Sequence, residues 1–253
     1  MDSDSELAVE PVVDLIIPVY NEGANIARAL DEIEAKVPLP KRIIVVYDFD
    51  EDDTLPVVRE LIPSRPGLEL VRNTRGRGVL NAIRTGIAAA RAEVVVITMA
   101  DLSDDVAIIP RMVELIRDEE YDIVVGSRYM KGGRQVGGPR LKKFLSRAAG
   151  LSLHWLAGLP THDATNAFRA YRREVLQGLT IESDGGFAYS LELTAKAHAA
   201  GRRIAEIPST WHDRSAGTSR FRLRAWLPHY LKWYGYALTH RPPARRGEGR
   251  DRG

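Results

Sequence analysis

The sequence predicts an α/β fold: a mainly parallel sheet flanked by helices, in a single domain. Two observations carry this. Short aliphatic runs alternate with amphipathic segments through the first half of the chain, and that βαβ order favours parallel strands joined by crossover helices. Each aliphatic run also ends in a cluster of polar or glycine residues. Open α/β sheets bind their ligands there, beyond the carboxyl ends of the strands.

Residues 12–18 form an aliphatic run and read as a buried strand. Residues 22–35 follow as a helix, with Ile26, Leu30 and Ile33 on one face. Residues 43–47 give the next strand, 55–62 a helix, 68–71 a short strand and 78–90 a helix. The β-branched run 94–98 is a strand, 106–117 a helix, and 123–125 a further strand. Near the end, Phe221, Trp226, Tyr230, Trp233, Tyr234 and Tyr236 place six aromatics within 16 residues. Leu223, Leu227, Leu231 and Leu238 share a similar helical face, with Arg222, Arg224 and Lys232 flanking it. This predicts an amphipathic C-terminal helix over 221–240, lying at a membrane interface or packed on the core. Pro228 suits its early turns. The expected organisation is a disordered N-terminus (1–11), the α/β domain (12–220), this helix, and a disordered basic tail (241–253).

The bulk composition excludes several classes. The chain has 253 residues, 44% hydrophobic and 28% charged, enough for one core without staples. It contains no cysteine, so disulfides, thiolate metal sites and cysteine nucleophiles are ruled out. The longest apolar runs, 12–19 and 94–100, are too short to cross a bilayer. Residues 1–10 are acidic and polar, unlike a secretory signal, so a cytoplasmic location is expected, with peripheral attachment to the cytoplasmic face of a membrane left open. The net charge of +2 hides an asymmetry: from Arg220 onward there are nine Lys/Arg and two Asp/Glu, which suits an anionic partner or a solvated tail. The six histidines show no metal-ligand spacing.

The chemistry sits after the strands. Pro18-Val19-Tyr20-Asn21-Glu22 follows the first, where Asn21 suits an N-cap and Glu22 a first helical turn. After the second, five acids occupy six positions from Asp48 to Asp53. Such repulsion calls for a cation, hydrogen-bond donors or a helix N-terminus. Asp52 or Asp53 suits the cap of the next helix, and Asp48, at the strand end, is placed to accept hydrogen bonds from a base or ribose. After the third strand, Arg75-Gly76-Arg77-Gly78 opens a helix, an arrangement that favours phosphate. After the fourth, Met99-Ala100-Asp101-Leu102-Ser103-Asp104-Asp105 offers Asp101 as an oxygen ligand for Mg²⁺ or Mn²⁺. Asp104 and Asp105 read as caps of the next helix.

These segments, with Gly126-Ser127-Arg128-Tyr129, the stretch from Asp163 to Arg173, Phe187, Glu192, Glu206-Ile207-Pro208 and the run from Asp213 to Arg220, resemble the inverting glycosyltransferase family 2 from about Val13 to Leu238. Within it they are most similar to dolichol- or polyprenol-phosphate mannosyltransferases and the related glucosyl enzymes. The resemblance implies a GT-A (Rossmann-like) fold and transfer of a hexose, mannose favoured, from a nucleotide-diphosphate sugar to a polyprenyl phosphate. GDP-mannose is favoured over UDP-glucose as donor. Donor contacts are expected from Pro18, Tyr20, Glu22, Asp48, Gly76, Arg77, Gly78, Ala100 and Asp101, and the metal at Asp101 and Ser103. The chain departs from the family at Met99, where relatives carry the first acid of an Asp-x-Asp motif, at Ser103, often Gln, and at Asn166-Ala167, often Ser-Gly.

A phosphate monoester with a second pKa of roughly 6 needs little base catalysis. Positioning and charge screening remain for the protein to supply. Asp101, Arg128 and Lys142 are the expected catalytic set. Arg128, directly after a strand, is the candidate for the acceptor phosphate; the resemblance adds Lys142 and Ser146, with Arg140 as the alternative to Lys142. The glycine-rich loop 131–140 is a candidate lid, and Arg214 and Arg220 resemble the family's post-sheet loop, which implies closure over the diphosphate. Asp163 and Arg169 either pair with each other or serve the site. The acceptor would be met at a membrane surface or through a membrane partner protein, and no nucleic-acid partner is expected. Transfer to a soluble acceptor, or non-catalytic nucleotide-sugar binding motivated by Met99, are the alternatives.

Overall fold

The computed structural model of the chain describes residues 10–213 and 223–242. The expected termini fall largely outside this range, as do Arg214 and Arg220. The elements, in chain order, are β1 (Val13–Pro18), α1 (Ile26–Lys36), β2 (Lys41–Tyr47), α2 (Thr54–Leu61), β3 (Leu68–Arg72), α3 (Val79–Ala89), β4 (Val94–Ile97), α4 (Ile109–Arg117) and β5 (Ile123–Ser127). Then come β6 (Arg134–Val136), α5 (Arg140–Ala157), β7 (Arg169–Arg172), α6 (Arg173–Gly178), α7 (Ala188–Ala199), β8 (Ile204–Pro208), β9 (Thr210–His212) and α8 (Leu223–Thr239).

Seven strands form one sheet in the order β3-β2-β1-β4-β7-β5-β8, and β6 pairs with β9 in a separate ribbon. The chain moves outward from β1 through β2 to β3, then returns to place β4 on the other side of β1. The crevice between the ends of β1 and β4 is therefore a topological switch point, the place where such sheets take ligands. Alternate residues of each strand feed opposite core layers. Leu15 and Ile17 of β1 join a cluster with Ile26, Leu30 and Ile109, while Ile16 joins one with Ile83, Ile87 and Tyr189. A third cluster ties Leu153 and Ala157 of α5 to Leu191 of α7 and to Trp233 and Ala237 of α8.

Two features differ from the sequence expectation. Helix α1 starts at Ile26 rather than residue 22; the amides of Asn21 and Gly23 are held by Asp52 and Asp53 of the β2–α2 loop, and that of Glu22 by Thr54 at the start of α2. Strand β7, absent from the expected series, enters the sheet antiparallel between β4 and β5. An antiparallel strand begins at the edge where its parallel neighbours end. Residues 163–168 are thereby delivered to the carboxyl ends of β4 and β5, and the bond from Asn166 Nδ2 to the Gly126 carbonyl (2.6 Å) fastens them there.

Candidate active site

The loops after β1 and β2 interlock. Asn21, at φ 53°, donates its amide to Asp52 (3.0 Å), Glu22 to the Thr54 hydroxyl (2.9 Å) and Gly23 to Asp53 (2.8 Å). Asp53 stands at the N-cap position of α2 without capping it, and Asp52 instead accepts the Thr54 amide. Asp50 pairs with Arg72 at 2.9 Å. The acidic loop thus resolves its own repulsion with protein donors. Glu22 accepts the Asn25 side-chain amide (2.9 Å). Pro18 ends β1, and Tyr20, 43% exposed, meets Phe49 edge-on at 5.2 Å. The Arg77 guanidinium lies over the Phe49 ring, 5.1 Å from its centroid.

Asp48 joins the second strand end to the third. One carboxylate oxygen accepts Asn73 Nδ2 (2.7 Å) and the other the Gly78 amide (2.8 Å). Asn73, buried, also donates to the Gly76 carbonyl and accepts from the Arg75 amide and the Thr85 hydroxyl. Gly76 and Gly78 have φ of 93° and 128°, values that exclude most side chains and fold the loop close over the start of α3. Asn73 was not anticipated as a site residue. Its position between an aliphatic strand and a glycine pair was the available signal.

At the end of β4, Ala100, Asp101 and Ser103 are buried. Leu102 has φ 61°, a left-handed conformation that costs a non-glycine residue about 1–2 kcal/mol. It lets the Asp101 carboxylate accept the Ser103 amide (3.1 Å), while the Ser103 carbonyl is held by the His212 amide (3.0 Å). Asp105 caps the following 3₁₀ turn through the Ala107 amide, as expected. Asp104 does not cap. It turns to the Thr98 hydroxyl (3.1 Å). Burial, then the adjacent Asp101 charge, push its carboxyl up to about 7, against the pull of Thr98, the Met99 amide and Arg128.

Two carboxylates sharing a confined space is a donor set suited to a hard divalent cation, and Mg²⁺ commonly takes only one or two carboxylates and completes its shell with substrate phosphates and water. Among the described residues no group of three or more His, Cys, Asp or Glu side chains converges on one point. Such a cation would therefore rely on ligands from a bound diphosphate. The residues fit the group on those terms.

Across the crevice, Arg128 follows β5. Its Nε and Nη2 grip the two Asp163 oxygens at 2.7 and 2.8 Å, and its amide adds a third bond at 3.0 Å. Nη2 also reaches the Ser146 hydroxyl (3.2 Å), which lies 2.6 Å from the Thr165 hydroxyl. Burial works against the charge, and the Asp163 charge and hydrogen bonds more than offset it, so the guanidinium pKa is raised. Asp163 therefore pairs with Arg128, not with Arg169. The buried Arg169 instead clamps the backbone, donating to the carbonyls of Asp163, Ala164, Asn166 and Ser190 and to the Thr194 hydroxyl. Arg140 is exposed at the start of α5, and the Lys142 side chain lies outside what the structure describes. The expected lid, 131–140, contains β6, pinned to β9 and further held by Lys143 Nζ on the Gln135 carbonyl (3.0 Å). Beside Asp163, the His162 ring bonds Glu206 and stacks on His154 at 4.0 Å.

The sheet order and the polar strand ends gathered at one edge define a GT-A domain. The chain belongs to glycosyl transferase family 2, whose model matches residues 14–180. It is 31% identical over 234 residues to the dolichol-phosphate mannosyltransferase of Pyrococcus furiosus, covering 88% of this chain and 64% of that protein. The chain thus spans less than two thirds of that relative's length. It is 30% identical to the undecaprenyl-phosphate mannosyltransferase of Micrococcus luteus, covering 81% of this chain and 85% of the relative. Among solved structures, a mannosyltransferase from Pyrobaculum calidifontis in complex with GDP-Man and Mn²⁺ superposes with a TM-score of 0.62 at 23% identity, over 89% of this chain and 63% of that one.

Proposed function

We propose that this protein transfers a hexose, mannose favoured, from a nucleotide-diphosphate sugar to a polyprenyl phosphate, with inversion at the anomeric carbon. GDP-mannose is the favoured donor over UDP-glucose. The observation that carries this reading is the opposition of two charge centres across one crevice. Asp101 and Asp104 stand at the end of β4, and Arg128 with Ser146 beyond β5, near enough that Asp104 and Arg128 perturb each other's ionisation. The names of the two mannosyltransferase relatives support the choice of sugar and acceptor.

The donor base and ribose would lie against Tyr20, Phe49 and Asp48, with Glu22 and Pro18 bordering them and Gly76, Arg77 and Gly78 supplying amides and charge to the diphosphate. A Mg²⁺ or Mn²⁺ ion held by Asp101, with Ser103 and Asp104 beside it, would supply neutralisation of the leaving diphosphate. Arg128, oriented by Asp163, and Ser146 hold the acceptor phosphate; Arg140 or Lys142 at the mouth of α5 adds charge, and Arg214 and Arg220 close over the donor. An acceptor phosphate oxygen bonds to the anomeric carbon as the bond from that carbon to the diphosphate breaks, and the electron pair leaves with the nucleotide. The acceptor is already largely dianionic at neutral pH, with a second pKa of roughly 6, so no general base is required. No helix among the described residues is long and apolar enough to cross a membrane. In this reading the acceptor is met at the cytoplasmic membrane surface, alone or with a membrane partner protein.

The test is a transfer assay with purified protein, Mn²⁺ or Mg²⁺, a short polyprenyl phosphate, and labelled GDP-mannose or UDP-glucose in separate reactions. Label is expected in the lipid product with GDP-mannose and is lost in Asp101→Ala. Label that stays in the aqueous phase with both donors overturns the polyprenyl acceptor.

A further inference from the structure

Arg128 owes its placement to Asp163, and Asp163 sits on a loop fastened on both sides. After Asp163, the Arg169 guanidinium takes the carbonyls of Asp163, Ala164 and Asn166. Before it, the fastening comes from Glu206 of β8. One Glu206 oxygen accepts the Thr161 hydroxyl (3.1 Å) and the His162 amide (2.8 Å), and the other pairs with His162 Nδ1. The Thr161 hydroxyl in turn accepts the Asp163 amide (3.0 Å). Thr161 and Asp163 are fully buried, and the Glu206 side chain is only 11% exposed. A line of polar contacts therefore runs from β8 through Thr161 and Asp163 to Arg128.

Helix α5 closes the other side of the loop. Gly150 lies so close that a Cβ there would meet the His162 carbonyl. The His154 ring, whose Nδ1 donates to the Leu159 carbonyl (2.7 Å), stacks on the His162 ring at 4.0 Å. Thr161 and His162 are thus confined between a helix and a carboxylate. Hydrogen bonds to an ionised acceptor are roughly twice as strong as neutral ones, so the carboxylate is the firmer of the two restraints.

We infer that Glu206 is a positioning residue for acceptor binding: through Thr161 and Asp163 it fixes the Arg128 guanidinium. This rests on the proposed role of Arg128 at the acceptor phosphate. Misplacement of a site group by about 1 Å can cost on the order of 100-fold, so a side chain that acts only through others still sets acceptor affinity. Glutamine can stand in for Glu206. Its amide oxygen accepts the Thr161 hydroxyl and the His162 amide, and its NH₂ is met by the His162 tautomer whose Nδ1 carries no proton. Alanine leaves those donors without their acceptor. Thr161→Val removes the hydroxyl relay at nearly constant shape.

Transfer kinetics with GDP-mannose and a short polyprenyl phosphate test this on Glu206→Ala, Glu206→Gln, Thr161→Val and Thr161→Ser. Glu206→Ala and Thr161→Val should raise the acceptor KM about tenfold or more, while the GDP-mannose KM stays within about twofold. Glu206→Gln and Thr161→Ser should recover most of the acceptor affinity. A second readout needs no turnover: the coupling between Asp163 and Arg128, from urea unfolding of their single and double alanine variants, should shrink in the Thr161→Val background. A Glu206 that merely staples the fold would lower stability but leave that coupling and the ratio of the two KM values unchanged, and this result overturns the inference. So does an equal loss of affinity for both substrates, or a glutamine variant no better than the alanine one. If Glu206→Ala does not fold, Thr161→Val and Glu206→Gln decide by the same criteria. Absence of transfer by the wild type, with the coupling reduced in Thr161→Val, leaves the brace on Arg128 standing and removes the proposed reaction instead.

Discussion

Replacing Asp163 with Ala should be among the most damaging single changes at the crevice, and its cost can be worked from the geometry. Asp163 is fully buried and the Arg128 side chain is 10% exposed, with the closest N–O contact at 2.7 Å. Removal of the carboxylate strands a guanidinium that still carries its charge, and breaking a buried pair from one side costs about 3–5 kcal/mol. By comparison, Arg72–Asp50, with both side chains more than half exposed, should be worth about 0–1 kcal/mol. Arg128→Ala strands Asp163 in turn, although the Arg128 amide still serves it. In the double variant neither charge is stranded, so the two losses should fall short of additivity by about 1.5–3 kcal/mol. Urea unfolding of the wild type, both single variants and the double variant at pH 7 measures this, as midpoint shifts at constant slope. A loss below about 1 kcal/mol for Asp163→Ala, or strict additivity, would refute the view that Asp163 is what holds Arg128 in place.

Two further outcomes follow from the same geometry. The Asp104 carboxyl, raised to about 7 from its ordinary 3.8, favours the folded state when protonated. Its contribution is therefore full below about pH 4 and lost as pH rises through 7, a change on the order of 2–4 kcal/mol; thermal unfolding between pH 5 and 8 should show the decline, and an unaltered profile in Asp104→Asn would contradict it. Gly150→Ala should destabilise by about 1–3 kcal/mol, because the added methyl meets the backbone carbonyl of His162. Gly235→Ala, in α8 with open space around it, should instead be neutral or stabilising by up to about 1 kcal/mol; equal midpoints for the two alanine variants would deny the close approach of α5 to the 162–163 loop.

The first five strands and their intervening helices were legible because aliphatic runs and 3.6-residue stripes are local signals, and the parallel topology follows from their alternation. The gathering of polar residues at strand ends was legible for the same reason, since chain order alone places Asp48, Gly78, Asp101 and Arg128 at one edge. Which partner each polar group takes was not. Asp163 and Arg169 stand six residues apart, yet the carboxylate reaches across to Arg128 and the guanidinium turns to backbone carbonyls, because β7 enters the sheet antiparallel between strands distant in sequence. Asp104 reads as a cap until the fold turns it to Thr98 beside Asp101. The same limit governs the helices. Periodicity identifies Leu141, Phe144, Leu145, Trp155 and Leu156 as one stripe, but a stripe carries no record of which side the protein occupies. In α5 the inward side was taken by Gly150, Leu153 and Ala157, the missing side chain of Gly150 letting the helix approach the 162–163 loop, and in α8 Trp233 and Ala237 were buried while Leu227 and Leu231 were left outside. Local pattern fixes what a face can offer, and only long-range packing decides whether that face meets the core or the surroundings.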